Sequence, residues 1–202
     1  MGRPIAFDRE EVLEAAMETF WLRGFESTSL FDLIGAMGLS KSSFYQAFSS
    51  KHQLFLQCLR RYRKQLVHDL MARLTRAESG LGFLVDELYE IPKSSRGRVG
   101  SMGCLLMNTA AEFAQGDPDV AGIVKDGIDD LHAVFGNAIA RAVEEGGLHS
   151  DRKPAELAQF LVTGMTGMKT MSQAGLSPDQ LEAVARHTLH ALGAADDFDV
   201  TQ

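Results

Sequence analysis

Ser40, Lys41, Ser42, Ser43, Tyr45 and Gln46 place small hydroxyls, an ammonium, a phenol and a carboxamide within one short segment. That set suits hydrogen bonding to phosphates and base edges. Serines are short enough to let a helix enter a DNA groove while still donating to phosphates. Lys41, at the start of the segment, reaches a guanine edge or a phosphate, and Gln46 has the donor and acceptor pair that matches adenine. Lys41, Ser42 and Gln46 are the candidates for base readout. Tyr45 either gives its hydroxyl to a phosphate or serves only in packing. Thr28, Ser29 and Lys51 fall at helix starts, where free backbone N–H groups favour anions, and so position rather than discriminate. Arg3, on a Gly-Arg-Pro arm, suits a flanking minor groove.

The charge distribution agrees with this chemistry. Residues 33–68 contain no Asp or Glu but hold Lys41, Lys51, Arg60, Arg61, Arg63 and Lys64. Residues 1–64 carry nine cationic and seven acidic side chains, a net +2, whereas residues 65–202 carry eleven and twenty, a net −9. The whole-chain value of −7 therefore hides two segments suited to different partners. Arg60, Arg61, Arg63 and Lys64 lie beyond the dense segment and read more readily as a solvated helix face.

Positioning these groups requires a frame of short helices. Asp8, with Glu11 as a capping-box-like partner, starts a helix that buries Val12, Leu13, Ala16 and Phe20 and ends at Gly24. Ser29 caps a second helix with Leu30, Leu33, Ile34 and Met37 at helical spacing. Gly38 supplies a turn, and Ser40 caps a third helix that carries Phe44 and Phe48 inward. Ser50 with Gln53 opens a long fourth helix through Leu54, Cys58, Tyr62 and Leu66. The second and third helices make a helix-turn-helix, the arrangement in which the later helix enters the major groove.

Gly2-Arg3-Pro4, Ala15, Phe20, Gly24-Phe25, Thr28-Ser29, Leu33-Ile34, Gly38-Leu39-Ser40-Lys41, Phe44-Tyr45, Phe48, Lys51 and Leu54-Phe55 together resemble the TetR/AcrR family of bacterial repressors. The likeness covers roughly residues 3–60 and extends to the rest of the chain only in layout. Gln46-Ala47 depart from the His followed by Tyr or His that many relatives carry, so no operator sequence is carried over. The resemblance implies an all-α protein of about nine helices. Its domains are a helix-turn-helix domain at 1–49 and an effector-binding and dimerisation domain at 50–202, linked by the long helix from about residue 50. It also implies a four-helix bundle formed by the last two helices of two protomers, and an effector pocket around the Gly103–Phe113 segment.

The acidic half reads more coarsely. Gly80, Gly82, Pro92, Ser94, Ser95, Gly97 and Gly100 suggest a short helix over 81–90 and a loop over 91–101. Helical patterns follow at 102–114, 119–145, 154–174 and 178–192, with no strand alternation and no internal repeat. A single helix-turn-helix reads a short half-site, so a two-fold dimer is expected. Leu157, Phe160, Leu161, Gly164 and Gly167 with Leu181, Val184 and Leu189 are the candidate dimer face, against the alternative of an ordinary intramolecular core.

Met102, Cys104, Leu105, Asn108, Thr109, Glu112, Phe113, Met165 and Met168 combine apolar bulk with isolated polar groups, the composition of a pocket for a small hydrophobic effector. Methionines at helical spacing are more often the filler of a core. Cys104 is either an electrophile or redox sensor or a buried inert thiol. Cys58 and Cys104 lack metal or disulfide spacing, and His187 with His190 lacks a third ligand, so no metal or cofactor is expected. HExxH, a phosphate-binding Gly-rich loop and a nucleophile elbow are all missing, which speaks against an enzyme.

These features together predict a cytoplasmic transcriptional regulator: a homodimer that occupies a palindromic operator as a repressor and leaves it when a small-molecule effector tilts the long helix. The two competing predictions are a repressor of the same fold triggered through Cys104, and a helical module whose basic segment binds an acidic protein instead of DNA. No apolar run approaches the roughly 20 residues that span a bilayer.

Overall fold

The computed structural model describes residues 7–95, 97, 102–113 and 116–195. Among these the chain forms nine helices and no strand: α1 Arg9–Arg23, α2 Leu30–Met37, α3 Lys41–Phe48, α4 Lys51–Arg76, α5 Gly80–Ser94, α6 Leu105–Phe113, α7 Pro118–Glu144, α8 Pro154–Gln173 and α9 Pro178–Leu192. Two compact units result, one of residues 1–65 with 105–125 and one of residues 66–104 with 126–202. The first unit contains the helix-turn-helix. It takes in the first turns of α4 and a segment that returns from far along the chain.

In the first unit, local signals set the helix ends. The Asp8 carboxylate accepts from the Glu10 and Glu11 amides, capping α1 without the reciprocal bond that Glu11 was expected to make. Gly24 at φ 77° and Gly38 at φ 63° end α1 and α2 in backbone that a Cβ disfavours. Ser29 and Asp32 form a full capping box at the start of α2, and Arg23 reaches Asp32 at 2.6 Å. Hydrogen bonds from the Ser29 side chain and backbone, with the Arg23 guanidinium adding its charge, hold the Asp32 carboxyl below its ordinary range. The interior is aromatic. Phe20, Phe44, Phe48 and Phe55 are almost fully buried, and Phe55 meets Phe20 and Phe25 at 4.9 Å between ring centroids.

The second unit packs α5, α8 and α9 with the later turns of α4 and α7 around Phe83, Leu84, Leu88, Phe135, Ile139, Leu161 and Leu189. Arg141 closes the end of α4 by donating to the Leu74, Ala77 and Glu78 carbonyls at 3.0, 3.1 and 3.0 Å. Carbonyls that a helix end leaves unpaired thus gain a charged donor. Glu145, itself bonded to Arg141, accepts from the Gly80 amide at 2.7 Å and joins α7 to the start of α5.

One expected boundary is wrong. α5 runs through Pro92 to Ser94 rather than stopping near Glu90, so the expected loop over 91–101 begins later; residues 96 and 98–101 lie outside the described residues. Pro92 gives no N–H to the carbonyl four residues before it, but in the last turn it leaves few later helical bonds to disturb. The Ser94 hydroxyl donates to the Glu90 carbonyl at 2.7 Å and the Ser95 hydroxyl to the Pro92 carbonyl at 2.6 Å. These serines finish the helix instead of interrupting it.

Candidate nucleic-acid interface

The third helix has one buried and one open face. Phe44 and Phe48 are 0% and 1% exposed, while Ser40, Lys41, Ser42, Tyr45 and Gln46 lie open to solvent. Spacing explains most of the separation, since residues 44 and 48 share one face, 42 and 46 fall on the far side and 45 lies at the flank, while Lys41 is open as the first residue of the helix. The Tyr45 ring meets Phe44 edge-on at 5.4 Å, which steadies it while leaving the residue 48% exposed.

At the start of α3, the Ser43 amide donates to the Ser40 hydroxyl at 3.1 Å, and that hydroxyl lies 3.0 and 2.9 Å from those of Ser42 and Ser43. Three hydroxyls and the first amides of the helix share one end, which is the chemistry a phosphate oxygen requires. Neighbouring cations hold the frame rather than standing free. Arg9 lies over the Phe48 ring at 5.0 Å and donates to Gln57 at 2.7 Å. Lys51 Nζ lies 4.2 Å from the Phe25 ring centroid, and Arg61 pairs with Glu10 and Glu14. Arg60 and Lys64 remain on the solvated side of α4.

Not every expected contact is presented. Thr28 is fully buried and its hydroxyl donates to the Gly24 carbonyl at 2.6 Å, so its side chain cannot meet a phosphate. The Ser29 hydroxyl donates to Asp32 Oδ2 at 2.5 Å, within its own capping box. Arg3 lies outside the described residues.

Phe31 escaped the sequence reading. It is 85% exposed at the start of α2, beside Gly35, whose Cβ position faces open space. The signal was present in the pattern, because Leu30, Leu33, Ile34 and Met37 already fill the inward face and leave Phe31 pointing away.

The residues expected to hold an effector divide between the two units. Leu105 and Thr109 are buried and Asn108 is half-buried on α6 of the first unit. Phe113 stacks on Phe55 with centroids 5.5 Å apart, and the Glu112 carboxylate accepts from the Phe25 and Glu26 amides. Met102, Cys104, Met165 and Met168 are buried in the second unit, where the last two take the core role open to methionines. Both cysteines are buried. Burial pushes the Cys58 thiol up to about 12, with the Glu14 charge adding to it, so it is not a thiolate at neutral pH.

Half of the expected dimer face is internal. Leu157, Leu161, Leu181 and Leu189 belong to the protomer's own core, whereas Phe160 and Val184 are 48% and 42% exposed. Phe160, Gly164, Gly167 and Met171 share one stripe of α8, and no heavy atom approaches the Cβ position of Gly167. Thr163 and Thr170 on that side donate their hydroxyls to the Gln159 and Thr166 carbonyls, which leaves the outer surface more apolar than its composition suggests.

Comparison with known proteins bears on both units. A family model described as bacterial regulatory proteins, tetR family, matches residues 12–58, and one described as tetracyclin repressor-like, C-terminal domain, matches residues 88–188. The HTH-type transcriptional repressor ComR of Escherichia coli (strain K12) is 28% identical over 189 residues, covering 93% of this chain and 90% of that protein. Among solved structures, a cysteine-substituted TetR family transcriptional regulator CifR complexed with 26bp double-strand operator DNA is 30% identical with a TM-score of 0.79. It covers 95% of this chain and is itself covered completely, at 100%. The reduced form of NemR from E. coli, at 21% identity and a TM-score of 0.84, shares the fold over 93% of this chain and 98% of that one.

Proposed function

Since the chain belongs to the TetR family of DNA-binding transcriptional regulators, we propose that it is a repressor whose dimer occupies a palindromic operator through α3 and leaves it when a small organic effector binds. The open surface of α3 carries this reading: Lys41, Ser42, Tyr45 and Gln46 are exposed while Phe44 and Phe48 anchor the helix. Lys41, Ser42 and Gln46 read base edges, while Ser40, Ser43, Tyr45 and Lys51 position the backbone. The Phe31 ring adds an apolar contact of the kind that meets a thymine methyl. Operator-bound CifR, similar over nearly the whole chain, favours duplex DNA over an acidic protein as the partner.

Two copies pair through the outer stripe of α8 and α9, with Phe160, Met171 and Val184 as the large apolar groups and Gly164 and Gly167 as points of close approach. This stripe is separate from the core stripe on the same helices, so a protomer keeps its core when the pair parts. The effector contacts Asn108 and Thr109 on α6, and release follows if it binds the DNA-incompetent state more tightly, by about 1 to 3 kcal/mol in such systems. The protein acts in the cytoplasm by binding rather than catalysis; no described helix is long and apolar enough to cross a membrane.

Selection of bound fragments from a genomic library by the purified protein tests this reading. A recurrent inverted repeat bound with steep salt dependence supports it. Equal retention of all fragments, or no retention at low salt, overturns it.

A further inference from the structure

Both oxygens of the Glu112 carboxylate, near the end of α6, are committed to the turn between α1 and α2. Oε2 accepts from the Phe25 amide at 2.9 Å and Oε1 from the Glu26 amide at 2.7 Å. The turn is shaped to receive it: Gly24, at φ +77°, has no side chain there, and a Cβ would sit 3.1 Å from each carboxylate oxygen. The next residue, Phe113, places its ring 5.2 Å from that of Phe25 and 5.5 Å from that of Phe55. Within the same turn Thr28 bonds back to the Gly24 carbonyl, and Ser29 then begins the capping box of α2. A charged acceptor on two amides is a strong restraint, and these two amides immediately precede the helix-turn-helix.

A carboxylate on a unit that meets a polyanion has an electrostatic cost for binding. Its presence on the head therefore calls for a geometric return. We infer that Glu112 is a positioning residue for operator binding: by capping the Phe25 and Glu26 amides it fixes the turn that sets α2, and through α2 the aim of α3. Operator affinity then follows the docking of α6 on that turn. This rests on the DNA-binding reading above and adds to it the point where α6, the helix carrying the proposed effector contacts Asn108 and Thr109, acts on the reading head.

Full-length wild type, Glu112→Ala and Glu112→Gln are compared on one labelled duplex selected by the wild type, across a salt series. Amide hydrogen exchange at Phe25 and Glu26, thermal melting and sedimentation are measured on the same samples. Gln keeps the volume and one acceptor, since its Nε2 cannot accept an N–H. The expected result is about tenfold weaker binding for Ala and a smaller loss for Gln, with an unchanged salt slope, unchanged dimer and faster exchange at both amides. Removing a negative charge would by itself tighten binding to DNA, so the direction of the change separates positioning from electrostatics. If Glu112→Ala is partly unfolded at the assay temperature, the Gln variant carries the comparison. Unchanged or tighter binding with both amides deprotected overturns the inference, as does equally fast exchange of these amides in the wild type. A wild type that selects no duplex overturns the DNA-binding reading itself and this role with it, and that failure is visible without any variant.

Discussion

His52 Nε2 lies 2.5 Å from Asp117 Oδ2, while the other oxygen of that carboxylate accepts from the Asp119 and Val120 amides at 2.9 and 3.1 Å. One side chain thus caps α7 and holds the first turn of α4. The Val120 amide, followed by His52, keeps the Asp117 carboxyl below its ordinary range. A depressed value means that the stabilisation is present above the ordinary carboxylate value and disappears as pH falls through the folded one. Asp117→Ala should cost about 1 kcal/mol at neutral pH through the lost cap. Urea midpoints followed downward from pH 7 should show the gap between wild type and variant narrowing; a constant gap would remove the carboxylate's charge from the explanation.

Gly80 marks a helix crossing with no room for a methyl group. A Cβ there would lie 2.5 Å from the Ala142 amide nitrogen and 2.6 Å from the Ala138 carbonyl oxygen. These are backbone atoms that cannot rotate aside, so Gly80→Ala should destabilise the protein by about 2 kcal/mol or more. Chemical denaturation reads this directly, and a variant within about 0.5 kcal/mol of wild type would show that α5 and α7 do not approach so closely.

Ser49, between α3 and α4, is the one described non-glycine residue with positive φ, at 64°, with ψ at −45°. The Ser50 amide donates to the Phe48 carbonyl at 2.7 Å across it, a tight turn of the strained γ type. Glycine removes the Cβ penalty while adding freedom to the unfolded chain, so Ser49→Gly should exceed Ser49→Ala in stability by about 1 kcal/mol. Melting curves in which the alanine variant is the more stable of the two would contradict the strained geometry.

Phe160 stands on the outer stripe of α8, 48% exposed in the protomer. Phe160→Asp should weaken self-association by about 2 kcal/mol or more and leave helix content unchanged, because the core stripe is untouched. Sedimentation across a concentration series checks it. A variant that dimerises like wild type would move the interface elsewhere.

The helix-turn-helix was legible in sequence because its determinants are local. Asp8, Ser29, Ser40, Gly24 and Gly38 act within four residues of where they stand, and Phe44 with Phe48 carries an unambiguous inward spacing. The proposed dimer face was only half legible: periodicity finds the apolar stripe of α8, but Leu157 and Leu161 on it fill the protomer's own core, while the exposed Phe160 stands on a second stripe diluted by Gly164 and Gly167. Pro92 misled because a proline in the last turn carries the same sequence signal as one that stops a helix. Glu112 was unreadable, since its partners Phe25 and Glu26 lie 87 and 86 residues away and nothing local distinguishes a pocket carboxylate from a backbone cap.

The central claim is tested most directly by the double variant Lys41→Ala with Tyr45→Ala, titrated against the duplex that wild type selects. These side chains lie on the open face of α3 and outside the buried core, so the melting temperature and dimer should hold while sequence-selective binding falls by at least about a hundredfold. Selective binding retained at wild-type strength by the folded double variant would contradict the assignment of α3 as the reading helix.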